Sequence, residues 1–208
     1  MALMDEMLLD LLGEIGNIAM GNAATALSQM IGKTIHITTP EVWLGTLPAV
    51  QHPEEPSVLI TVGYKGDFGG SSMLLLKEEQ ALLLANLMLG QFGMEVSSVD
   101  DPMLISALQE AMNQMMGASA RALTELTGSF IEVTTPEFKP LPKGLTKDVL
   151  EELVQSFNGG KIATVRFNVI VDDTPLKSHM YLLYPSALAG KLVLKYLSAL
   201  KGETKKDE

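Results

Sequence analysis

Apolar and polar positions along the chain fall into helical and strand periods, and the programme restarts halfway. Over residues 5–31, Leu8, Leu11, Leu12, Ile15, Ala19, Ala26 and Met30 recur at three- and four-residue spacing. That period predicts one amphipathic helix with this stripe inward. Asp10, Glu14, Asn17, Gly21 and Ser28 fall on the opposite face, and Gly32-Lys33 ends the helix. Alternation predicts a strand at Thr34–Thr38, stopped by Pro40. Residues 40–57 read as a proline-containing connection holding Trp43, with a short strand placed at Val42–Leu47. Strands Val58–Tyr64 and Ser71–Leu76 flank a glycine-rich turn, and a helix over Glu78–Leu89 stops at Gly90.

Residues 91–102 form a link, after which Leu104–Thr127 predicts a helix with Leu104, Leu108, Ala111, Met115, Ala118 and Ala122 inward. Ser106, Glu110, Asn113 and Gly117 face outward. A strand at Phe130–Thr134 ends before Pro136. Residues 138–160 carry Pro140, Pro142 and an extra helix at Lys147–Phe157, closing on Asn158-Gly-Gly160. Strands Ile162–Val171 and Ser178–Leu183 and a helix over Ser186–Leu200 complete the chain. Lys201–Glu208 reads as a polar tail or truncated linker.

The restart is a duplication. Asp10, Glu14, Asn17, Gly21 and Pro40 recur as Ser106, Glu110, Asn113, Gly117 and Pro136, all 96 residues later. Ile37-Thr-Thr-Pro-Glu41 recurs as Val133-Thr-Thr-Pro-Glu137. Met73-Leu-Leu-Leu76 matches Met180-Tyr-Leu-Leu183 at an offset of 107, which assigns 11 additional residues to the connection at 138–160. Two copies of an α-β-β-(β)-α unit, about 5–90 and 103–200, predict one α+β domain over 1–200 with pseudo-twofold symmetry. Its sheet is mostly antiparallel, with packed helices against it.

Composition narrows the chemistry. The 208 residues hold no cysteine, which removes disulfides, thiolate nucleophiles and Cys-ligated metals together. The formal net charge of −10 disfavours nucleic acid as a partner and suits a cationic one. No run of eighteen apolar residues predicts a membrane span. Acids follow the first Met where a secretory leader carries Lys or Arg, which fits a cytoplasmic protein. His36, His52 and His179 are scattered without metal-ligand spacing. No phosphate-binding loop or nucleophile elbow is present.

What remains is the repeated Glu-x-x-Asn. A carboxamide donates and accepts at once but takes no proton near neutral pH. It can therefore orient water, and phosphoryl hydrolysis through a loose transition state needs little else. Glu14 and Glu110 could pair with a partner's Lys or Arg and fix the approach. Gly21 and Gly117, one turn past each asparagine, leave room for another protein's surface. Gly16 reads as close packing. Met20, Met30, Met112, Met115 and Met116 read as core filler.

Asp/Ser-x-x-x-Glu-x-x-Asn followed after twenty-two residues by Pro resembles the signature of the CheC, CheX and FliY phosphatase family of bacterial chemotaxis. It stands here as Asp10, Glu14, Asn17, Pro40 and as Ser106, Glu110, Asn113, Pro136. Gln109-Glu-Ala-Met-Asn-Gln-Met-Met-Gly117 is most similar to the FliY branch. The resemblance implies a phosphatase acting on phosphorylated CheY. Asn17 and Asn113 would orient water in the CheY active site, Glu14 and Glu110 would contact a CheY lysine, and CheY would supply Mg²⁺. It further implies membership of the motor switch with FliM, FliN and FliG, at the cytoplasmic face of the flagellar basal body. FliY-type chains carry an N-terminal CheY-binding peptide and a C-terminal FliN-like domain, which this sequence lacks. That points to an excised middle domain. The alternatives are a free-standing CheC-type phosphatase and a non-catalytic rotor domain like the middle of FliM.

Overall fold

Duplication puts the same element order into both halves, and the halves build one sheet by exchanging strands. The computed structural model describes residues 2–38, 40–45, 55–157, 161–174 and 177–203. The first half runs α1 (Ala2–Ile31), β1 (Ile35–Ile37), β2 (Glu41–Gly45), β3 (Ser57–Gly66), β4 (Ser71–Lys77) and α2 (Glu78–Leu89). The second runs α3 (Pro102–Thr127), β5 (Ile131–Val133), β6 (Glu137–Leu141), α4 (Lys147–Ser156), β7 (Ile162–Val171), β8 (Lys177–Pro185) and α5 (Ser186–Glu203).

Among the described residues the sheet has eight strands in the order β1-β7-β8-β4-β3-β5, with β2 also on β7 and β6 also on β3. Each half's short strands thus pair with the other half's long strand. Every pairing is antiparallel. The two equivalent strands β4 and β8 meet at the centre, Leu74 opposite Leu182. Antiparallel pairing of equivalent strands is what a local twofold axis generates. The α+β class and the pseudo-twofold plan are as expected.

Two packed faces hold this sheet. On one, α1 and α3 pack together over β3, β4, β7 and β8, and their buried core includes Leu12, Ile15, Met20, Leu108, Met112, Met115, Ile60, Leu74, Val165 and Phe167. The other face buries Leu59, Met73, Leu75, Tyr181 and Leu183 under Leu145, Leu153 and Phe157 of the α4 segment. Trp43 packs edge-on against Tyr181 there, ring centroids 6.5 Å apart. The extra helix therefore lids a surface that would otherwise expose a row of apolar side chains.

Four differences from the sequence reading have physical causes. First, the C-terminal half of α1 buries Met20, Ala23, Ala24, Leu27 and Ile31, while Ala26 and Met30 are only half-buried. A helix seated between a sheet and a second helix buries two flanks, not one stripe. Ser28, expected outward, is half-buried; its hydroxyl donates to Ala24 O at 2.7 Å and accepts from Ile35 N at 2.9 Å, tying α1 to β1. Second, Glu137–Leu141 is a strand although it contains Pro140. It lies at the sheet edge on β3, where a missing N–H costs no ladder bond.

Third, the pairing registers relocate the insertion. Ile35 pairs with Val171 and its counterpart Ile131 with Gly66, so β7 follows β3 by 105 residues (171 minus 66). Nine extra residues thus precede β7 (105 minus 96). Pro185 lies opposite Ile162 where Lys77 lies opposite Ser57, so β8 follows β4 by 108 residues (185 minus 77), one more than the 107 read from the sequence, and three fall in the β7–β8 hairpin (108 minus 105). Fourth, α5 continues through Glu203 into the segment read as tail. Residues 46–47 of the expected short strand, His52, residues 158–160 and residues 204–208 lie outside the described residues.

Candidate functional site

Every buried position of α1 is buried again in α3. Leu12, Ile15, Gly16, Ala19, Met20, Ala23, Ala24, Leu27 and Ile31 are buried in α1, and each counterpart 96 residues later is buried in α3. With the inward register inherited intact, the outward register is inherited too. Asp10, Glu14, Asn17 and Gly21 are exposed, as are Ser106, Glu110 and Asn113, with Gly117 half-buried. The structure thus brings each predicted quartet onto one open helix face. α3 starts where Asp101 accepts from Met103 N at 2.8 Å ahead of Pro102, and Gly128 ends it in the left-handed region at φ 62°.

The hydrogen bonding separates the motif asparagines from the other two helical ones. Asn22 donates its amide to Ile18 O at 2.9 Å, and Asn86 brackets Val96 with two bonds of 2.8 Å. Asn17 and Asn113 make no side-chain hydrogen bond to any described residue, so both carboxamides are free to donate and accept outward.

The first copy opens on a groove of about 300 Å³ lined by Leu9, Asp10, Gly13, Glu14, Asn17, Pro40 and Val42. The motif proline earns its place here: the corner it makes brings β2 against α1. A Cβ on Gly13 would sit 3.3 Å from Val42 Cγ2 and 4.0 Å from Pro40 Cγ. The corner is pinned by an ion pair between Glu41 and Arg166, which face each other across β2 and β7. That carboxylate holds the Arg166 guanidinium above its usual pKa. Gly16 packs as read: a Cβ there would lie 3.3 Å from Phe167 Cζ.

Glu6, Asp10 and Glu14 stand one turn apart on α1, all exposed, and none forms an ion pair with a described residue. Like charges at this spacing cost a helix a few tenths of a kcal/mol. Glu14 Oε1 instead accepts from Tyr196 Oη of α5 at 3.0 Å, whereas Glu110 Oε1 accepts from Gln114 Nε2 of its own helix at 3.0 Å. Ser106 turns its hydroxyl back to Pro102 O at 2.9 Å. Tyr196 escaped the sequence reading because its helix carries no repeated polar motif, and its counterpart 108 residues earlier is Met88.

Gly21 has nothing within 4 Å of a would-be Cβ, and Gly117 only Arg121 Nη1 at 3.7 Å. Packing does not require glycine at position 21. Gly21→Ala is expected to raise unfolding stability by about 0.5–1 kcal/mol, the helix-propensity difference. Denaturant titration checks this; a destabilised variant would show that the glycine serves the fold.

No group of three His, Cys, Asp or Glu among the described residues is placed to hold a metal ion. His36 pairs with Asp172 at 3.1 Å on the surface, far in topology from either motif. No helix among the described residues is long and apolar enough to cross a membrane.

Fold and site together define a duplicated α+β domain that presents a Glu-x-x-Asn pair twice, on sister helices. The sequence profile of the CheC-like family matches it twice, over residues 7–44 and 103–139, each span holding one full motif from Asp10 or Ser106 through its proline. The chain belongs to the CheC-like family. It is 33% identical to the crystal structure of Thermotoga maritima FliY, with a TM-score of 0.77, covering 92% of this chain and 96% of that one. The flagellar motor switch phosphatase FliY of Bacillus subtilis is 32% identical over 203 residues, 96% of this chain and 52% of that protein. The CheY-P phosphatase CheC of the same organism is 27% identical, covering 84% and 87%. The chain therefore spans about half the length of Bacillus FliY. A FliM middle domain from H. pylori, at 14% identity and a TM-score of 0.60, shares the fold.

Proposed function

We propose that this domain hydrolyses the aspartyl phosphate of phosphorylated CheY, using two pseudo-equivalent sites centred on Asn17 and Asn113. The observation that carries this is the pair of exposed, unbonded carboxamides held in identical register on α1 and α3. Each would enter the regulator's phosphorylation site, accept from one water proton and hold the water oxygen in line with phosphorus. Formation of the phosphorus–oxygen bond to water accompanies cleavage of the bond between phosphorus and the aspartyl oxygen, and the carboxylate leaves. The water protons end on phosphate and solvent, so the amide never titrates. The relatives' names, FliY phosphatase and CheY-P phosphatase, support the same substrate.

In this scheme Mg²⁺ arrives with the partner. Glu14 and Glu110 supply uncompensated charge for a partner lysine. Membership of the motor switch, with FliM, FliN and FliG at the cytoplasmic face of the basal body, completes the proposal and rests on the likeness to FliY.

The decisive experiment mixes the purified chain with phosphorylated CheY and Mg²⁺ and follows phosphate release. Acceleration is expected; binding without acceleration would instead indicate a scaffold. Glu14→Gln with Glu110→Gln is expected to raise the half-saturating concentration of phospho-CheY roughly five-fold, the worth of an exposed charge pair, and to change turnover less. A loss confined to turnover at saturation would contradict the docking role.

A further inference from the structure

We propose, resting on the reading above, that Tyr196 is a positioning residue for the first site alone. Its buried phenol presets the Glu14 carboxylate before a partner cation arrives. Tyr196 is 6% exposed within the core formed by α1, α3 and α5, and its Oη donates to Glu14 Oε1 at 3.0 Å. The ring cannot move without repacking its neighbours, so the hydroxyl is a fixed donor aimed at a mobile acceptor. One bond to Oε1 leaves the second oxygen facing solvent, where a lysine or arginine can reach it.

The second copy is built differently. The position corresponding to Tyr196 is Met88, 108 residues earlier, which has no hydroxyl, and Glu110 is held by the exposed Gln114 of its own helix. Gln114 corresponds to Ile18, so neither device occurs in both copies. A donor with its own rotamer freedom restrains its acceptor less than one locked in a core. The first site thus depends on how α5 is seated, and the second does not.

The test uses single-site chains, Asn113→Ala for the first site and Asn17→Ala for the second, each with and without Tyr196→Phe. Phenylalanine keeps the ring that fills the core and removes only the hydroxyl. In the first-site chain the KM for phospho-CheY should rise about two- to twelve-fold, the cost of ordering one long side chain on binding, with kcat held within about two-fold. In the second-site chain both should stay put. No rise in the first-site chain, or an equal rise in both, overturns the proposal.

A readout independent of catalysis is the set of three-bond NMR couplings along the Glu14 side chain in the free protein. They should report one rotamer in the unsubstituted chain and averaged rotamers after Tyr196→Phe, with Glu110 unmoved. Averaged couplings at Glu14 in the unsubstituted chain sink the tether whether or not phosphate is released. A tether lost in Tyr196→Phe, in a chain that never accelerates phosphate release, upholds the tether and sinks the phosphatase reading instead.

Discussion

Replacing both Asn17 and Asn113 by alanine is expected to lower the catalysed release of phosphate from phospho-CheY by at least about 100-fold, the scale on which losing one placed hydrogen-bonding group acts. The magnitude follows from the chemistry. The carboxamides are the motif groups that both donate and accept, and Ser106 is bonded to its own helix. Each single substitution should leave the other site working, so activity falls only in part. Folding should be untouched, because both side chains are exposed and bond to no described residue. Phosphate release with the double variant, alongside its denaturation midpoint, checks both halves. Activity within a few-fold of the original would refute the assignment of the asparagines.

The candidate site was placed from the sequence because a duplicated exposed polar residue is hard to explain by packing. Core positions survive duplication through burial, whereas Glu14/Glu110 and Asn17/Asn113 bury nothing. Asp10 and Ser106 show the limit of that logic: they match in position, but serine is satisfied within α3 while aspartate stands in the groove of the first copy. What stayed hidden was the wall around the motif. Gly13, Val42 and Tyr196 reach the first site through tertiary packing, across up to 182 residues of separation, and no local period reports that.

The fold divides along the same line. Helix and strand positions follow from apolar spacing, which acts over one or two turns. The strand exchange does not, since β1 and β2 pairing with β7 rather than β3 is decided by which long strand the helix leads them to. Pro140 concealed β6 because proline ordinarily marks a break, and only the edge position makes it harmless. The second buried flank of α1 was partly hidden by its small residues: Ala23 and Ala24 carry little apolar weight in sequence yet are buried and permit close approach.

That close approach fixes where stability is concentrated. Phe167→Ala is expected to destabilise the domain by about 3–5 kcal/mol, the range for emptying a fully buried aromatic site. Phe167 is 0% exposed on β7, the strand that carries β1, β2 and β8 together. Its ring lies 3.3 Å from the place a Cβ would occupy at Gly16, one residue before Asn17. A β-strand cannot move toward α1 to close the hole without breaking pairing on both sides, so little relaxation offsets the loss. For a chain of this size the same change lowers the melting temperature by roughly 6–20 °C. Denaturant unfolding with an unchanged m-value checks the figure, and a loss under about 1 kcal/mol would show that α1 is not anchored there. Because the cavity lies beneath Asn17 and not Asn113, the folded variant should also lose more activity in the first-site chain than in the second-site chain.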